Sequence, residues 1–498
     1  MRVVQNLQMQ MGEVDVSKVR FDLKSRDDIP RVLKGLQHLY TTAALREKIF
    51  DLLLSKIAPK VDKGNGRPGM TLWRILVCGV VRLDLNIDYD RLHELVNHHD
   101  TLREMLGHGA FDEMRYDIQS LKDNISLLTP ELLDEINQVI IHGGHALVKK
   151  NASEALRGRC DSFVVETHVH YPTDINLLYD ALRKVIELTA PLSAGHGLSH
   201  WRQHAYNVRH VKRKMRAAQN AKRSRAKAPE QQARRDALII QAHTEYLDIA
   251  QHYLSRAKDT LAELKELLTS QIDVARCLEI EGFIKHAERQ IDQTQRRVIQ
   301  KESIPHAEKV FSLFQPHTEW ISKGKAGVPV ELGVKVCILE DQYRFILHHQ
   351  VMQGSTDEQV AVSMVKEAQE RHPSLRECSF DKGFHSPANQ LELRAHLEHV
   401  VLPRKGKLSQ KALAEEQSEP FVKARHQHSA VESAINALEV HGLDKCRDHG
   451  IVGFKLYVAL AIVARNIHRV GDLLWQRECR AGRRKRKCTD RATALKRA

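Results

Sequence analysis

Paired cysteines and long apolar runs are absent from this sequence. None of its eight cysteines belongs to a Cys-x-x-Cys pair, so neither a disulfide framework nor a zinc ribbon is indicated. No apolar run reaches the roughly 18 residues that a membrane span needs, and the first residues lack the apolar core of a secretory signal. We therefore expect a cytoplasmic protein with reduced cysteines.

Acidic residues are fewer than basic residues. Lys and Arg number 77 against 63 Asp and Glu, which gives a formal net charge of +14. A surplus of that size favours a polyanionic partner such as nucleic acid, although a solvated basic surface explains it equally well. With 498 residues, 42% of them hydrophobic, the chain is globular and too long for a single core, so we expect two or three domains.

The first part of the chain has a helical pattern. Segments 29–40 and 43–57 carry apolar residues at three- and four-residue steps, and shorter helices are predicted at 70–83 and 89–98. Short helices joined by polar turns are typical of a helix-turn-helix DNA reader, but also of any small helical bundle. We predict a helical, DNA-binding N-terminal domain over residues 1–150.

A second helical region comes after a single strand. Residues 160–167 are β-branched and apolar in their centre, which predicts a buried strand. Residues 209–227 then hold nine Lys and Arg and no acid, and two apolar stripes after them predict an antiparallel helical hairpin. We interpret residues 176–302 as a helical insertion into a mixed domain.

Strands return after the insertion. They are predicted at 331–339, 343–351, 375–380 and 399–402, with a helix at 357–371. Further helices are predicted up to residue 475, and the basic tail 476–498 is expected to lack regular structure. Without the insertion, residues 151–175 and 303–475 have the order of an RNase-H-like α/β domain. In that fold the first strand, the fourth strand and a late helix converge at one edge of the sheet.

Three acidic residues fall on those converging elements. Asp161 lies on the first strand, Asp381 ends the fourth strand, and Glu432 lies on the late helix. Alone, each has an ordinary explanation, as a salt-bridge residue, a turn aspartate and a solvated helix residue. Together they match the needs of phosphodiester transfer, in which two divalent ions about 4 Å apart are held by carboxylates. We therefore predict a metal site at this edge.

Three blocks of sequence resemble the catalytic blocks of bacterial insertion-sequence transposases of the ISNCY group, which belong to the three-carboxylate (DDE) type. They are residues 161–174 (DSFVVETHVHYPTD), 379–384 (SFDKGF) and 426–435 (HQHSAVESAI). Gly66-Arg67-Pro68 and the helix after it resemble the N-terminal segment of these enzymes. The match spans nearly the whole chain, and the third block is the most specific.

The resemblance implies that Asp161, Asp381 and Glu432 are the catalytic residues and bind two Mg²⁺ or Mn²⁺ ions. It implies DNA cleavage and strand transfer at the ends of an insertion sequence. It also implies double-stranded DNA as the partner, a homodimer or higher oligomer on that DNA, and a bacterial, nucleoid-associated location in the cytoplasm. The candidate DNA-binding residues are Arg67, Lys212, Arg213, Lys214, Arg216, Lys382, Arg425, His428 and Arg447.

The chain departs from these relatives beside the glutamate. Many of them carry an arginine four residues before it and a lysine seven residues after it, where this sequence has His428 and Glu439. We expect Arg425, Lys445 or Arg447 to make the contacts to the DNA end instead.

Functions of other classes stay open. His168, His170 and Asp174 imitate the strand-end metal site of a metallohydrolase, but a barrel hydrolase needs about eight strands alternating with helices. This sequence offers five or six strands. A non-catalytic DNA-binding protein derived from a transposase is the second alternative, and the presence of all three acids argues against it. A purely structural helical protein is the least favoured interpretation.

Overall fold

The structure, a computed structural model, describes residues 3–5, 12–57, 69–151, 154–223, 225, 228–267, 270–322 and 329–497, with side chains up to residue 481. The chain divides into two compact units, one made of Met1–His168 with Glu319–Ala498 and the other of Val169–Thr318. Each unit has its own hydrophobic core. The predicted DNA-binding residue Arg67 lies outside the described residues.

The helices before the first strand are α1 (Ile29–Thr41), α2 (Ala43–Ile57), α3 (Leu72–Asp84), α4 (Tyr89–His98), α5 (Asp100–Met105), α6 (Ile118–Ile125) and α7 (Pro130–Leu147). Nearly every residue of α3 is buried because its apolar side chains occupy all sides of the helix. Thr129 begins α7, since its side chain accepts a hydrogen bond from the backbone N–H of Leu132. The four helices predicted in this region are confirmed to within two residues.

The smaller unit is helical. The chain enters it after β1 (Leu156–Thr167) and forms α8 (Asp174–Gly195), α9 (His204–Arg223), α10 (Pro229–Leu267) and α11 (Gln271–Thr294). Lys258 of α10 pairs with Glu288 of α11 at 2.5 Å, and Lys265 pairs with Glu281 at 2.6 Å. The order of these pairs makes α10 and α11 antiparallel, which confirms the predicted hairpin. Members of its predicted apolar stripe are buried, namely Tyr246, Ala250, Tyr253, Ala257, Leu261 and Leu264.

The chain then returns to the larger unit and completes a mixed α/β structure. Its elements are β2 (Glu319–Ser322), β3 (Val330–Glu340), β4 (Ile346–Met352), α12 (Asp357–Arg371), β5 (Leu375–Phe380), α13 (Pro387–His396), β6 (His399–Val401), α14 (Gln410–Glu416), α15 (Glu419–His428), α16 (Ala430–Leu438), β7 (Lys445–Cys446) and α17 (Gly450–Arg497). The predicted strands and the helix α12 are all present. The short strands β2 and β7 were not predicted.

These strands form one open, seven-stranded sheet with both parallel and antiparallel pairs. Its main path runs β2-β3-β1-β5-β6, with β4 also paired to β3 and β7 to β1. The pairs β1–β3, β2–β3 and β3–β4 are antiparallel, whereas β5 and β7 run parallel to β1 and β6 runs parallel to β5. Apolar residues of the sheet and of the N-terminal helices belong to the same hydrophobic core.

One edge of β1 is open in its middle. On that edge β5 pairs with β1 as far as Cys160, and β7 pairs with it from Glu166 onward. No described strand pairs with residues 161–165 on this side, while β3 pairs continuously with the opposite edge. At this gap the edge of β1 has no described strand partner, and α16 contacts β1 although Phe163, Val164 and Val165 are buried.

The helix α17 forms the core of the larger unit. It crosses α1 at close range, because a side-chain carbon at Gly35 would meet the backbone carbonyl of Ile467, and one at Gly471 would meet that of Arg31. By length and composition Gly450–Ala481 could span a membrane, but 61% of its apolar window is buried within the protein, as in the core helix of a soluble protein. The expectation that the basic tail lacks structure is wrong for its backbone, since α17 continues as far as Arg497.

Candidate functional site

Asp161 and Asp381 are brought together by the register of two parallel strands. Cys160 of β1 pairs with Phe380 of β5, so the next position along each strand is Asp161 and Asp381. Neighbouring strands lie about 4.8 Å apart, and residues in register point to the same face of a sheet. Because β5 ends at Phe380, Asp381 begins the loop at the opening in the edge of β1.

Burial and the neighbouring acids raise the pKa of Asp161. Burial is the largest cause that raises the pKa of Asp161 to about 7, and the charges of Asp381, Asp357 and Glu432 contribute after it, in that order. A hydrogen bond of 2.7 Å from the backbone N–H of Ser162 acts in the opposite direction. All three predicted catalytic acids are therefore close enough to interact electrostatically.

Glu432 reaches this group from the first turn of α16. Val431, Ala434 and Leu438 are buried and form the apolar side of this helix, whereas Glu432 is exposed. Ser429 separates α15 from α16.

His428, at the end of α15, lies against the same acids. Its Nδ1 is 3.0 Å from the hydroxyl of Ser379 on β5. Burial lowers the pKa of His428, although the carboxylates of Asp381 and Glu432 oppose that effect. At neutral pH this side chain is therefore an uncharged hydrogen-bonding group, and it does not provide the positive charge of the arginine that it replaces.

Asp357 was not predicted as a member of the site. It is the first residue of α12, and its Oδ1 accepts a hydrogen bond of 2.7 Å from the hydroxyl of Ser162. Lys335 Nζ lies 3.2 Å from each of its carboxylate oxygens. An acid at the start of a helix is common because it interacts favourably with the helix dipole, so no sequence pattern distinguishes this one.

The predicted basic residues fall into two groups. Lys382 follows Asp381 directly and is exposed, and Arg425 is exposed on α15, one turn before His428. Arg447 follows β7, but its guanidinium donates to the backbone carbonyl and side-chain oxygen of Asn86, at 3.0 and 3.1 Å.

The other group lies on α9 in the smaller unit. One face of this helix is buried through Asn207, Val211, Met215, Ala218 and Ala221. Lys212, Arg213 and Arg216 are exposed, whereas Lys214 pairs with Glu245 at 2.8 Å. The segment thus presents a continuous basic surface to solvent.

The carboxylate group fits a hard divalent cation. Asp161, Asp381, Glu432 and Asp357 offer only oxygen donors, which suit Mg²⁺ and Mn²⁺. Burial and the like charges of neighbouring acids raise the pKa of Asp161. A bound cation would compensate those charges.

A different set of metal-binding residue types lies in the core of the larger unit. Potential ligand atoms of Asp84, His441 and His468 lie within 4.8 Å of one another. His468 Nδ1 donates to both carboxylate oxygens of Asp84, at 3.0 and 3.1 Å, and His441 Nδ1 donates to the backbone carbonyl of Asp84. These hydrogen bonds account for the cluster without an ion, and it is not the predicted triad.

Two residues of the metallohydrolase alternative make ion pairs. Within the smaller unit His170 pairs with Asp180 at 3.4 Å, and Asp174 pairs with Arg297 at 2.8 Å. The described sheet is open and mixed, whereas a barrel hydrolase has a closed sheet of parallel strands.

No protein-family model, curated protein or solved structure matches this chain. The likeness to transposases therefore remains one of sequence blocks.

Proposed function

We propose that the chain is a DNA transposase of the three-carboxylate type, which cleaves DNA at the ends of a mobile element and joins the freed end to target DNA. The observation that carries this proposal is the meeting of three acids from distant parts of the sequence. Asp161 and Asp381 occupy adjacent positions in the strand register, and Glu432 acts electrostatically on Asp161.

The order of the strands supports an RNase-H-like assignment of the sheet. In space the relevant strands have the order β4-β3-β1-β5-β6, with β3 antiparallel to β1 and β4, and with β5 and β6 parallel to β1. The first of these strands in the sequence, β1, lies at the centre, and α16 and β5, which leads into the Asp381 loop, both contact it. A convergence of acids from these elements is what the RNase-H-like proposal requires.

In the proposed reaction, water cleaves a phosphodiester to leave a 5′-phosphate and a 3′-OH. The 3′-OH then attacks a phosphodiester of the target, joins to its phosphorus and releases a 3′-OH of the target strand. Asp161, Asp381 and Glu432 would hold two Mg²⁺ or Mn²⁺ ions, which would supply activation of the attacking oxygen and neutralisation of charge on the leaving oxygen. No protein nucleophile is required, so the chain contributes positioning and charge.

Neighbouring residues orient the DNA in this proposal. Lys382 and Arg425 are exposed beside the acids and supply positive charge for the phosphates around the scissile bond. His428, neutral and 3.0 Å from Ser379, offers a ring nitrogen for hydrogen bonding. The basic face of α9 binds DNA phosphates in this proposal.

The test is cleavage and joining of DNA that carries the ends flanking the gene, with Mg²⁺ or Mn²⁺. We compare the wild type with Asp161→Asn, Asp381→Asn and Glu432→Gln. Glu370→Gln is the matched control, because Glu370 is an exposed acid at the far end of α12. Each triad variant should bind DNA and lose cleavage, and the control should retain both.

Two outcomes would reject this assignment. A triad variant with the wild-type rate would remove that residue from the site. A wild type that binds the DNA ends but never cuts with either metal would favour the second candidate, a non-catalytic DNA-binding protein derived from a transposase. The exposed basic face of α9 is compatible with that candidate.

A further inference from the structure

The helix α16, which carries Glu432, continues into a single π-helical turn, Glu439–Leu443, that contacts the carboxyl end of α3. His441 in this turn is buried, and its Nδ1 donates to the backbone carbonyl of Asp84, the last residue of α3. The chain then changes direction at Gly442, whose φ of +105° favours glycine. The end of the helix that carries Glu432 is therefore fixed on the N-terminal helices.

The segment after this turn is bound by the same end of α3. Arg82 is buried and donates to both carboxylate oxygens of Asp448, at 2.5 and 3.0 Å. Just beyond the helix, Asn86 Nδ2 donates to Asp444 Oδ1 at 3.4 Å, and Asn86 accepts two hydrogen bonds from Arg447. A bidentate arginine–carboxylate pair has a specific geometry, so these contacts fix the position of the segment as well as stabilising it.

We call residues 82–86 and 441–448 the clasp. The clasp is polar, whereas α16 itself contacts β1 and buries apolar side chains. A buried ion pair adds little net stability, because the cost of removing two charges from water largely offsets their attraction, so its main effect here is on geometry. At the other end of α16, His428 Nδ1 contacts the hydroxyl of Ser379 on β5. The helix is thus anchored at both ends, while Glu432 is exposed between them.

We propose that the clasp positions Glu432 for catalysis and that His441 is its main positioning residue. This inference rests on the proposed function, since Glu432 acts there as a ligand of the catalytic cations. The end of α3 sets where the helix after Glu432 ends, so the N-terminal helices support the active site directly. Loss of His441 leaves Glu432 chemically intact but able to shift, and a misplacement of about 1 Å can lower a rate by about 100-fold.

The test is cleavage of DNA that carries the element ends at a series of Mn²⁺ concentrations, with urea denaturation of each variant. His441→Ala should raise the Mn²⁺ concentration for half-maximal cleavage by about tenfold or more, as loss of a group that orients a metal ligand does. His441→Asn should restore most of the wild-type Mn²⁺ dependence, because its amide provides a nitrogen donor in place of Nδ1.

Gly471→Ala is the matched control for lost stability. It acts on α17 at the crossing with α1, where a side-chain carbon would meet the backbone carbonyl of Arg31. This variant should unfold at a lower urea concentration and keep the wild-type Mn²⁺ dependence. If His441→Ala also keeps that dependence, the clasp contributes only stability and the proposal is overturned.

A milder variant decides if His441→Ala does not fold, as judged by circular dichroism. Asn86→Gly removes the side-chain contacts with Asp444 and Arg447, and glycine tolerates the φ of +50° at this position. It should also raise the Mn²⁺ concentration for half-maximal cleavage, and an unchanged value would overturn the proposal.

The wild type separates this proposal from the function on which it rests. If the wild type cleaves the DNA and the clasp variant needs no more Mn²⁺ than the wild type does, the positioning role is rejected and the transposase stands. If the wild type never cleaves with Mg²⁺ or Mn²⁺, the proposed function is itself rejected, and the role of the clasp with it.

Discussion

Asp161 is an acid whose ionised form the fold disfavours. Its pKa rises from 3.8 to about 7 because of burial and neighbouring carboxylates. The folded protein therefore holds this proton through a pH range in which the unfolded chain releases it, and the contribution of this carboxyl to stability falls as pH rises from about 4 to about 7. Without metal, the site destabilises the protein at pH 8.

Asp161→Asn should remove that destabilisation. We expect its free energy of unfolding at pH 8, in the presence of a chelator, to exceed that of the wild type by on the order of 1–2 kcal/mol. At pH 5, where the wild-type side chain is largely protonated in the fold, the gain should shrink. Urea denaturation at both pH values checks this, and an equal gain at pH 5 and pH 8 would show that charge is not its cause.

The acids of the site were predictable to different extents. Asp161, Asp381 and Glu432 could be selected because strand patterns and sequence blocks placed them on converging elements. Asp357 could not, because its importance depends on contacts with Ser162 and Lys335, which come from strands that neighbour each other only in the folded sheet. The neutral state of His428 likewise results from burial that the sequence does not express.

At the scale of elements, periodicity identified the long helices and strands but not the shortest ones. The α10–α11 hairpin was predictable because it repeats its apolar stripe over many turns. The strand β7 has only two residues, Lys445 and Cys446, and exists because Glu166 and Thr167 of β1 pair with them. No local pattern specifies such a strand. The helical backbone after residue 475 was missed because its sequence lacks an apolar period.

The crossing of α1 and α17 depends on glycine. Gly471 lies against the backbone carbonyl of Arg31, so even a methyl group at this position would force the two helices apart. We expect Gly471→Ala to reduce the free energy of unfolding by about 2–4 kcal/mol, as overpacking in a core does. The midpoint of urea denaturation measures the loss.

Gly453→Ala is the matched control for this prediction. Gly453 lies near the start of the same helix, and a side-chain carbon there would make only an ordinary contact of 3.5 Å with Asp448. Alanine favours helix over glycine by about 1 kcal/mol, so this variant should be neutral or more stable. Similar losses in both variants would mean that the close crossing does not limit the size of residue 471.

At the scale of the whole molecule, half-buried histidines with lowered pKa values contribute to the response to acid. Burial lowers the pKa of both His349 and His372 to about 4, from an ordinary value of 6.5. Between these pH values the unfolded chain binds protons that the folded protein does not. The stabilising contribution of these two histidines should therefore be present above pH 6.5 and decline as pH falls towards 4, by up to about 1.4 kcal/mol per histidine and pH unit, opposite in direction to the contribution of Asp161.

His349→Gln tests this dependence. Between pH 6.5 and 4.5 the variant should take up about one proton fewer on unfolding than the wild type does. The slope of its unfolding free energy against pH should therefore be smaller. Above pH 7 its slope should equal that of the wild type. Denaturant titrations across this range give both slopes, and an unchanged slope below pH 6.5 would remove His349 from the acid response.

The role of the basic surface of the smaller unit can be measured from the salt dependence of DNA binding. Lys212, Arg213 and Arg216 are exposed on one helix, α9, and each phosphate contact with duplex DNA releases close to one counterion on binding. Changing all three to Gln should reduce the slope of log affinity against log salt concentration by about 3. Because phosphate contacts carry no sequence information, binding should weaken alike for the element ends and for unrelated DNA.

A control variant that loses the same number of positive charges distinguishes direct phosphate contacts by α9 from an effect of the protein's net charge. Lys258→Gln, Lys265→Gln and Arg276→Gln together remove three cations from α10 and α11 of the same unit, each of which pairs with an acid. This combination should leave the salt slope close to that of the wild type. If both triple variants lower the slope equally, the chain attracts DNA through its overall charge of +14 and α9 is not a binding surface. If only the α9 variant lowers the slope, the helical insertion binds DNA through α9.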